Sequence, residues 1–272
     1  MKPTTSWILL ALLLTLGGLE ACLATPAQAA SRVAGQCREI TYSTNPNYPP
    51  YDWAVGNGFE GASIDLLKMV VPQGVTLKPA VYPWKRALRL AEEGKIDLLV
   101  SLRITPERSR YLVFTTHRAF PNPIVVFVRK DQAFAFTSWD ELKSRRGGVS
   151  LGDTFGGGFD EYWKRELNVD VASNMENNFR KLEAGRIDYF VTGKYVGEAY
   201  FAISPPCKAL IALDPPVSDQ DIHFGFSRLS PCAALVKQVS ANLAKLDGQG
   251  VPDQLLKKHL HRIQQREAGR AQ

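Results

Sequence analysis

The sequence predicts an α/β fold in which two α/β lobes with mixed sheets are joined by a two-strand hinge. Short apolar runs typical of buried strands alternate with amphipathic helical stretches through most of the 272 residues. A helix followed by Gly, a basic residue and Ile-Asp occurs twice, at 93–97 and at 184–188. Between the copies, a predicted strand at 124–128 ends in a polar boundary at 129–132. The repetition indicates two similar halves, although this motif is also common in α/β proteins generally.

The N-terminus has the pattern of a secretory signal peptide. Lys2 precedes an apolar run at 7–16, and small residues follow up to Ala29. The apolar run is too short to span a bilayer. We therefore expect residues 1–29 to be a cleavable signal peptide and the mature protein to be periplasmic. Lipoprotein anchoring at Cys22 is the less favoured alternative, because Glu20 fits that cleavage site poorly.

The first half of the mature chain contains alternating strands and helices. Its predicted elements are a strand at 39–43, a helix at 64–71, a strand at 77–81, a helix from 84 to about 94 and a buried strand at 96–100. In the second helix Trp84, Ala87, Leu88 and Ala91 share one face, and Gly94 is the stop signal. This alternation predicts a parallel or mixed sheet flanked by helices.

The second half repeats the alternation. Its predicted elements are a strand at 124–128, a helix opened by the capping box at 138–141, a strand at 148–151 before the Gly-rich turn 152–158, a helix ending near Gly185, a strand at 187–191, a strand at 222–226 and helices at 233–246 and 252–259. The chain therefore crosses twice between lobes. We expect lobe 1 to comprise 30–128 with 222–262, lobe 2 to comprise 129–221, and 263–272 to be a flexible tail. Two crossings permit hinge closure on a ligand.

The net charge of the chain is +6, and its Lys and Arg residues are scattered. This pattern is typical of an ordinary solvated surface, with a mild preference for anionic partners. It does not support nucleic-acid binding.

Three of the four cysteines follow the signal peptide: Cys37, Cys207 and Cys232. Export permits a disulfide. Because Cys207 and Cys232 flank a Pro-rich link and a strand, we expect them to pair and Cys37 to be free. Sequence alone leaves the other pairings open, and the spacing matches no metal site.

Four groups of residues occur in a fixed order between 37 and 259. They are Tyr48-Pro49-Pro50-Tyr51 with Phe59, Gly61 and Asp65; Gly94-Lys95-Ile96-Asp97 with Ser101 and Thr105-Pro106-Glu107-Arg108; Gly148-Val149 with Gly152-Asp153-Thr154; and Ala184-Gly185-Arg186-Ile187-Asp188. This order resembles the family 3 extracellular solute-binding proteins, the polar amino-acid receptors of ABC importers. The resemblance implies a periplasmic-binding-protein-like fold and a small-molecule ligand held between the lobes. It further implies a monomer without cofactor, metal or catalytic residue, and a permease or sensor as partner.

Arg108 is the main candidate for binding the ligand. Thr105-Pro106-Glu107-Arg108 has the pattern of an N-cap, an N1 proline and a first helical turn. The helix follows a predicted strand, at the edge where open α/β sheets bind ligands. Arg binds carboxylates in a bidentate manner. The resemblance implies that Arg108 binds the ligand's carboxylate and that Ser101 lines the same pocket; a surface ion pair with Glu107 is the alternative.

The turn at 152–154 is the candidate contact from the second lobe. Main-chain N–H groups at a predicted helix start, together with the Thr154 hydroxyl, suit an anion. The resemblance implies that Thr154 binds the same ligand carboxylate as Arg108, and an N-cap role for Thr154 is compatible with this. The resemblance also makes Tyr48 and Trp84 walls of the pocket. A core position is the alternative for Trp84.

Three residues depart from the family's pattern. Gly193 replaces the Asp that binds the ligand's ammonium, Asn45 replaces an Asp of basic-amino-acid receptors, and Arg103 replaces a small hydroxyl residue. A buried ammonium without a carboxylate is costly. Either Glu198 or Asp221 therefore substitutes for that Asp, or the ligand is not a standard α-amino acid.

Arg103 leaves a second choice open. Together with Arg108 it would favour a dianion, such as a dicarboxylate or an acidic amino acid. Alternatively, Arg103 points to solvent or pairs with an acid across the cleft.

Binding without catalysis is the function that these residues favour. One alternative is a periplasmic enzyme on the same fold that resembles cyclohexadienyl dehydratases, which would need an acid or base in the cleft. His117 and His223 lie in the predicted fold but in no catalytic motif, and Glu198 is a further possible acid. The other alternative is an accessory protein that has lost ligand binding.

Overall fold

The structure, a computed structural model, describes residues 37–203 and 210–270. The predicted signal peptide, Cys22 and Cys207 lie outside these residues. The described part of the chain contains thirteen strands: β1 Glu39–Ser43, β2 Asn47–Tyr48, β3 Asp52–Val55, β4 Gly58–Glu60, β5 Thr76–Pro79, β6 Leu98–Leu102, β7 Leu112–Phe114, β8 Phe120–Arg129, β9 Arg146–Ser150, β10 Asn168–Ala172, β11 Tyr189–Gly193, β12 Leu210–Ala212 and β13 Ser218–Ser227. The α-helices are α1 Ala62–Val70, α2 Trp84–Glu92, α3 Pro106–Ser109, α4 Phe159–Glu166, α5 Met175–Glu183, α6 Lys194–Ile203, α7 Val236–Asp247 and α8 Val251–Arg270.

Ten of the strands form one mixed sheet. Its order is β10-β9-β11-β8-β13-β6-β1-β5, with β12 also paired to β8 and β7 also paired to β13. β1 is parallel to β5 and β6, and β9 is parallel to β10 and β11, whereas β8 and β13 are antiparallel to their neighbours. A separate small sheet contains β2, β3 and β4. The predicted α/β class with mixed sheets is therefore confirmed.

The long strands β8 and β13 connect the two parts of the large sheet. β13 pairs with β8 through 218–222 and with β6 and β7 through 223–227. β8 pairs with β11 and β12 through 124–129. Successive side chains of β8 enter different apolar clusters: Val126 packs with Phe159 and Tyr189, and Phe127 packs with Phe179. This burial on both faces explains the continuous apolar run in the sequence.

The repeated motif has the same structural role in both halves. Gly94 and Gly185 follow α2 and α5 with φ of 72° and 65°, a left-handed conformation that Gly adopts without strain. The Asp97 carboxylate accepts a hydrogen bond from the Thr41 N–H at 2.8 Å, and the Asp188 carboxylate accepts one from the Arg146 N–H at 2.8 Å. Each Asp therefore fixes the neighbouring parallel strand.

The predicted Cys207–Cys232 disulfide is wrong, because Cys232 is bonded to Cys37. The fold brings these residues together although they are 195 positions apart. Asp97 shows why: its carboxylate accepts hydrogen bonds from Thr41 of β1 and from the Ser230 hydroxyl. The segment after β13 is thereby held against the start of β1, where Cys37 lies.

Several element boundaries differ from the prediction. The capping box at Ser138 and Glu141 is confirmed, with both of its hydrogen bonds present, and it opens a 3-10 helix at Trp139–Leu142. The small β2–β4 sheet and helix α6 were not predicted from the sequence. Helix α8 continues to Arg270, beyond its predicted end at 259.

Candidate functional site

A cleft of about 270 Å³ lies where β6, β9 and β11 end. All eight of the predicted ligand-binding residues line it: Asn45, Tyr48, Trp84, Ser101, Arg103, Arg108, Thr154 and Gly193. Lys85 and Asp153 are further charged residues in its lining. The structure thus brings together residues from both halves of the sequence, at the sheet edge where α/β proteins bind ligands.

A larger depression of about 320 Å³ lies elsewhere, beside Trp139, Tyr162 and Pro215. Asp140 is its charged residue, and the Tyr162 hydroxyl and the Lys143 ammonium already contact that carboxylate at 2.7 and 2.8 Å. This depression therefore lacks the converging charges that distinguish the cleft.

Arg108 is held in the cleft by its own helix and by main-chain contacts. The Thr105 hydroxyl caps α3 by accepting a hydrogen bond from the Arg108 N–H at 3.2 Å, as predicted. The guanidinium donates to the Arg103 carbonyl at 3.0 Å and lies 5.8 Å from the Trp84 ring centroid. Burial lowers the pKa of Arg108. No described residue forms an ion pair with it, so the alternative of a Glu107 pair does not apply.

Arg103 reaches across the cleft. Its guanidinium donates to the main-chain carbonyl of Thr154 at 2.6 Å, so its partner across the cleft is main chain and not an acid. Asp153 also lines the cleft, and part of its surface is exposed to the solvent. Burial there raises the pKa of Asp153 to about 6, and the nearby Arg103 charge and a Ser150 hydrogen bond oppose the rise.

The turn that contains Thr154 offers fewer donors than predicted. The Asp160 carboxylate accepts hydrogen bonds from the Phe155 N–H at 3.0 Å and from the Gly156 N–H at 2.7 Å. These two amides are therefore not available to an anion, and the Asp153 N–H donates to the Ser150 carbonyl at 3.1 Å. Helix α4 is capped at Gly158, so the suggested N-cap role of Thr154 is wrong.

Gly193 lies in the cleft lining beside two neutral polar side chains, those of Asn122 and Tyr48. A Cβ atom at this position would lie 3.0 Å from Oδ1 of Asn122 and 3.9 Å from the Tyr48 hydroxyl, so an Asp here would crowd Asn122. The Asn122 amide donates to the Tyr48 hydroxyl at 3.0 Å. Burial raises the pKa of Tyr48 to about 12. Asn122 was not predicted as a site residue, although its polar side chain in the largely apolar strand β8 indicates a special role.

Buried polar side chains lie beneath the cleft at Ser101. Among the described residues, Ser101 is the one non-glycine with positive φ, at 58°, a conformation that costs about 1 kcal/mol or more. Its hydroxyl donates to the Ser63 hydroxyl at 2.7 Å. Backbone strain of this kind is concentrated at functional sites.

Asp52 lies in the same buried group and was not identified from the sequence. It is 0% exposed, and its Oδ2 accepts a hydrogen bond from the Thr44 hydroxyl at 2.7 Å. Its Oδ1 has no partner among the described residues. Burial raises the pKa of Asp52 to about 8, and the nearby Ser101 and Thr44 hydroxyls oppose the rise.

The other candidate acids and bases lie away from the cleft lining. Asp221 pairs with Arg118 at 3.4 Å, and Glu198 lies half-buried on α6. His117 contacts Asp247 at 2.9 Å, and His223 contacts the Thr115 carbonyl at 3.0 Å.

Neither a metal site nor a membrane span is found in the described residues. No group of three or more His, Cys, Asp or Glu residues there could hold a metal ion. None of the helices in this part of the chain has the length and apolarity needed to cross a bilayer.

Several solved structures resemble this fold. They include a mutant of ArgBP from T. maritima, with 21% identity, a TM-score of 0.64, and coverage of 86% of this chain and 99% of that one. AbpA from Streptococcus pneumoniae, an amino-acid ABC transporter substrate-binding protein bound to L-arginine, has 19% identity, a TM-score of 0.67, and coverage of 86% and 98%. The GluR0 ligand-binding core in complex with L-glutamate has 19% identity, a TM-score of 0.68, and coverage of 82% and 98%. At these identities the likeness shows the fold alone.

The sequence itself gives a clearer assignment. A comparison with curated protein sequences finds no match. The family model for bacterial extracellular solute-binding proteins, family 3, matches residues 40–262, which include the whole cleft. The chain belongs to the bacterial extracellular solute-binding proteins, family 3.

Proposed function

We propose that this protein captures a small carboxylate-bearing solute, an amino acid or a related compound, in the cleft. The observation that carries the proposal is the environment of Arg108. Its guanidinium is partly buried, fixed by the Arg103 carbonyl and free of any ion pair with the described residues. A desolvated cation without a counter-charge is costly, and a ligand carboxylate would relieve that cost through charge-assisted hydrogen bonds.

The proposed mechanism is closure about the two long strands. Residues 30–128 with 222–262 would form one lobe and 129–221 the other, with β8 and β13 as the connections. Arg108 and Thr154 lie in different lobes under this division, so a ligand that contacts both favours the closed form. The closed form of the periplasmic protein would then be recognised by an ABC permease or a sensor.

Replacement of Arg108 tests this function. We expect Arg108→Ala to weaken binding of any carboxylate ligand by about 100-fold, because a charge-assisted bidentate contact is lost. The measurement is calorimetry on ligands found by a thermal-shift panel of amino acids, polyamines and organic acids, supported by native mass spectrometry of co-purified molecules. Arg110→Ala is the matched control, since Arg110 is exposed and lies outside the cleft lining. Unchanged affinity in Arg108→Ala would remove Arg108 from the site.

Binding without catalysis is part of the proposal. His117 and His223 form contacts outside the cleft lining, so none of the described lining residues supplies an imidazole as an acid or base. We expect incubation with prephenate or arogenate to leave both compounds unchanged when followed by chromatography. Product formation at a rate above the protein-free control would instead assign the chain to the dehydratase-like alternative.

A further inference from the structure

The charges that line the cleft are unbalanced. Lys85, Arg103 and Arg108 are cationic, and among the described residues of the lining Asp153 is the one carboxylate. None of the three cations forms an ion pair with a described residue. Even with Asp153 fully ionised, three positive charges face one negative charge. The cleft therefore presents an excess of two positive charges to its contents.

The two guanidinium groups are held in place independently of any ligand. Arg108 is fixed by its hydrogen bond to the Arg103 carbonyl and by the Trp84 ring. Arg103 is fixed by its hydrogen bond to the Thr154 carbonyl at 2.6 Å. Each guanidinium carries five N–H donors, and its main-chain hydrogen bond occupies one of them. Both groups retain donors for an anion, and little ordering entropy is lost when one binds.

The opposite wall offers little to a ligand ammonium group. Gly193 contributes no side chain, and the Asn122 amide and the Tyr48 hydroxyl beside it are neutral and bonded to each other. The Asn45 side-chain oxygen already accepts a hydrogen bond from the Asn47 N–H at 3.1 Å. Asp153 is the remaining charged acceptor. It lies near Arg103, so a ligand ammonium would compete with the Arg103 guanidinium for this carboxylate.

We infer that the ligand is a small dicarboxylate without an ammonium group, with one carboxylate on Arg108 and the second on Arg103. This inference rests on the function proposed above and specifies its ligand. The cleft volume of about 270 Å³ is at the small end for ligand sites, which favours a short diacid. A cationic amino acid would add positive charge to a cleft that already contains three cations against one carboxylate, and it is disfavoured for that reason.

Calorimetry at pH 7.5 with five probes tests the inference: succinate, glutarate, butyrate, L-glutamate and L-arginine. We expect a dicarboxylate to bind at least about tenfold more tightly than butyrate, L-glutamate and L-arginine, because it alone satisfies both guanidinium groups without burying an ammonium. Arg103→Gln should reduce dicarboxylate affinity by about tenfold or more and leave butyrate affinity within about threefold. Arg110→Gln, with the same loss of charge outside the cleft lining, should change neither.

The outcomes separate this inference from the function on which it rests. If L-glutamate or L-arginine binds as tightly as the best dicarboxylate and Arg108→Ala abolishes that binding, the proposed function stands and the dicarboxylate inference is overturned. Equal loss of dicarboxylate and butyrate affinity in Arg103→Gln also overturns it. If no carboxylate binds, in these probes or in the wider panel, both proposals fail together.

Discussion

Removal of the Cys37–Cys232 bridge is expected to lower the free energy of unfolding by about 5 kcal/mol in the chain-entropy model of disulfides. The bridge joins residues 195 positions apart, and an unfolded chain that keeps it loses much of its conformational freedom. Both cysteines are almost fully buried, at 1% and 2% exposure, so the bond is protected while the protein is folded. Denaturant unfolding in the presence and absence of reductant measures the difference.

Two variants make this measurement specific. Cys37→Ser with Cys232→Ser should have the lower stability from the start and should not respond to reductant. Cys207→Ser should keep the stability of the parent and still respond to reductant, because the bridge does not involve Cys207. A parent protein whose unfolding curve shifts by less than about 1 kcal/mol on verified reduction would show that the bridge contributes little.

Features of the fold that depend on neighbouring residues could be predicted from the sequence, whereas the disulfide pairing, which depends on distant residues, could not. The Gly and Asp of each repeated motif act on adjacent turns and strands, so the motif was readable from its own residues. The choice between Cys37 and Cys207 depended on β1 lying beside the segment after β13, which is a consequence of the whole sheet order. No local pattern of residues contains that order.

The candidate site shows the same limit at the level of single side chains. The eight predicted residues line one cleft, because most of them lie at or just after the ends of strands, or in the first turn of a helix, at the same sheet edge; Tyr48 comes from the small sheet. The Asp160 carboxylate, however, accepts hydrogen bonds from the two amides that follow Thr154, an arrangement that was not predicted. Asp52 and Asn122 were missed because their roles come from burial beside residues about 50 to 75 positions away, such as Ser101 and Tyr48.

Asp52→Asn is expected to stabilise the protein, by an amount that grows with pH. Burial raises the pKa of Asp52 to about 8 in the folded chain, against 3.8 for the ordinary side chain. Between about pH 4 and pH 8 the folded protein therefore holds a proton that the unfolded chain has released. The free energy of unfolding contributed by this group falls through that window by about 1.4 kcal/mol per pH unit, and it is constant above the folded pKa.

Asn has nearly the shape of the protonated carboxyl group and does not ionise. The free energy of unfolding of the variant therefore does not fall with pH through this group. We expect parent and variant to have similar stability near pH 4, and the variant to gain about 3 kcal/mol on the parent between pH 5 and pH 7. Urea unfolding at closely spaced pH values measures the difference. Asp219→Asn, an exposed carboxylate on β13, removes the same charge and should show no comparable trend.

The pH dependence separates this mechanism from a change in packing. A packing effect of the new amide would shift stability by one amount at every pH, because it involves no proton. A difference between Asp52→Asn and the parent that stays constant from pH 5 to pH 8 would therefore mean that Asp52 is ionised in the folded protein at neutral pH. In that case its unpartnered Oδ1 would have to be stabilised as a buried charge, which the surrounding Thr44 and Ser101 hydroxyls alone do not provide.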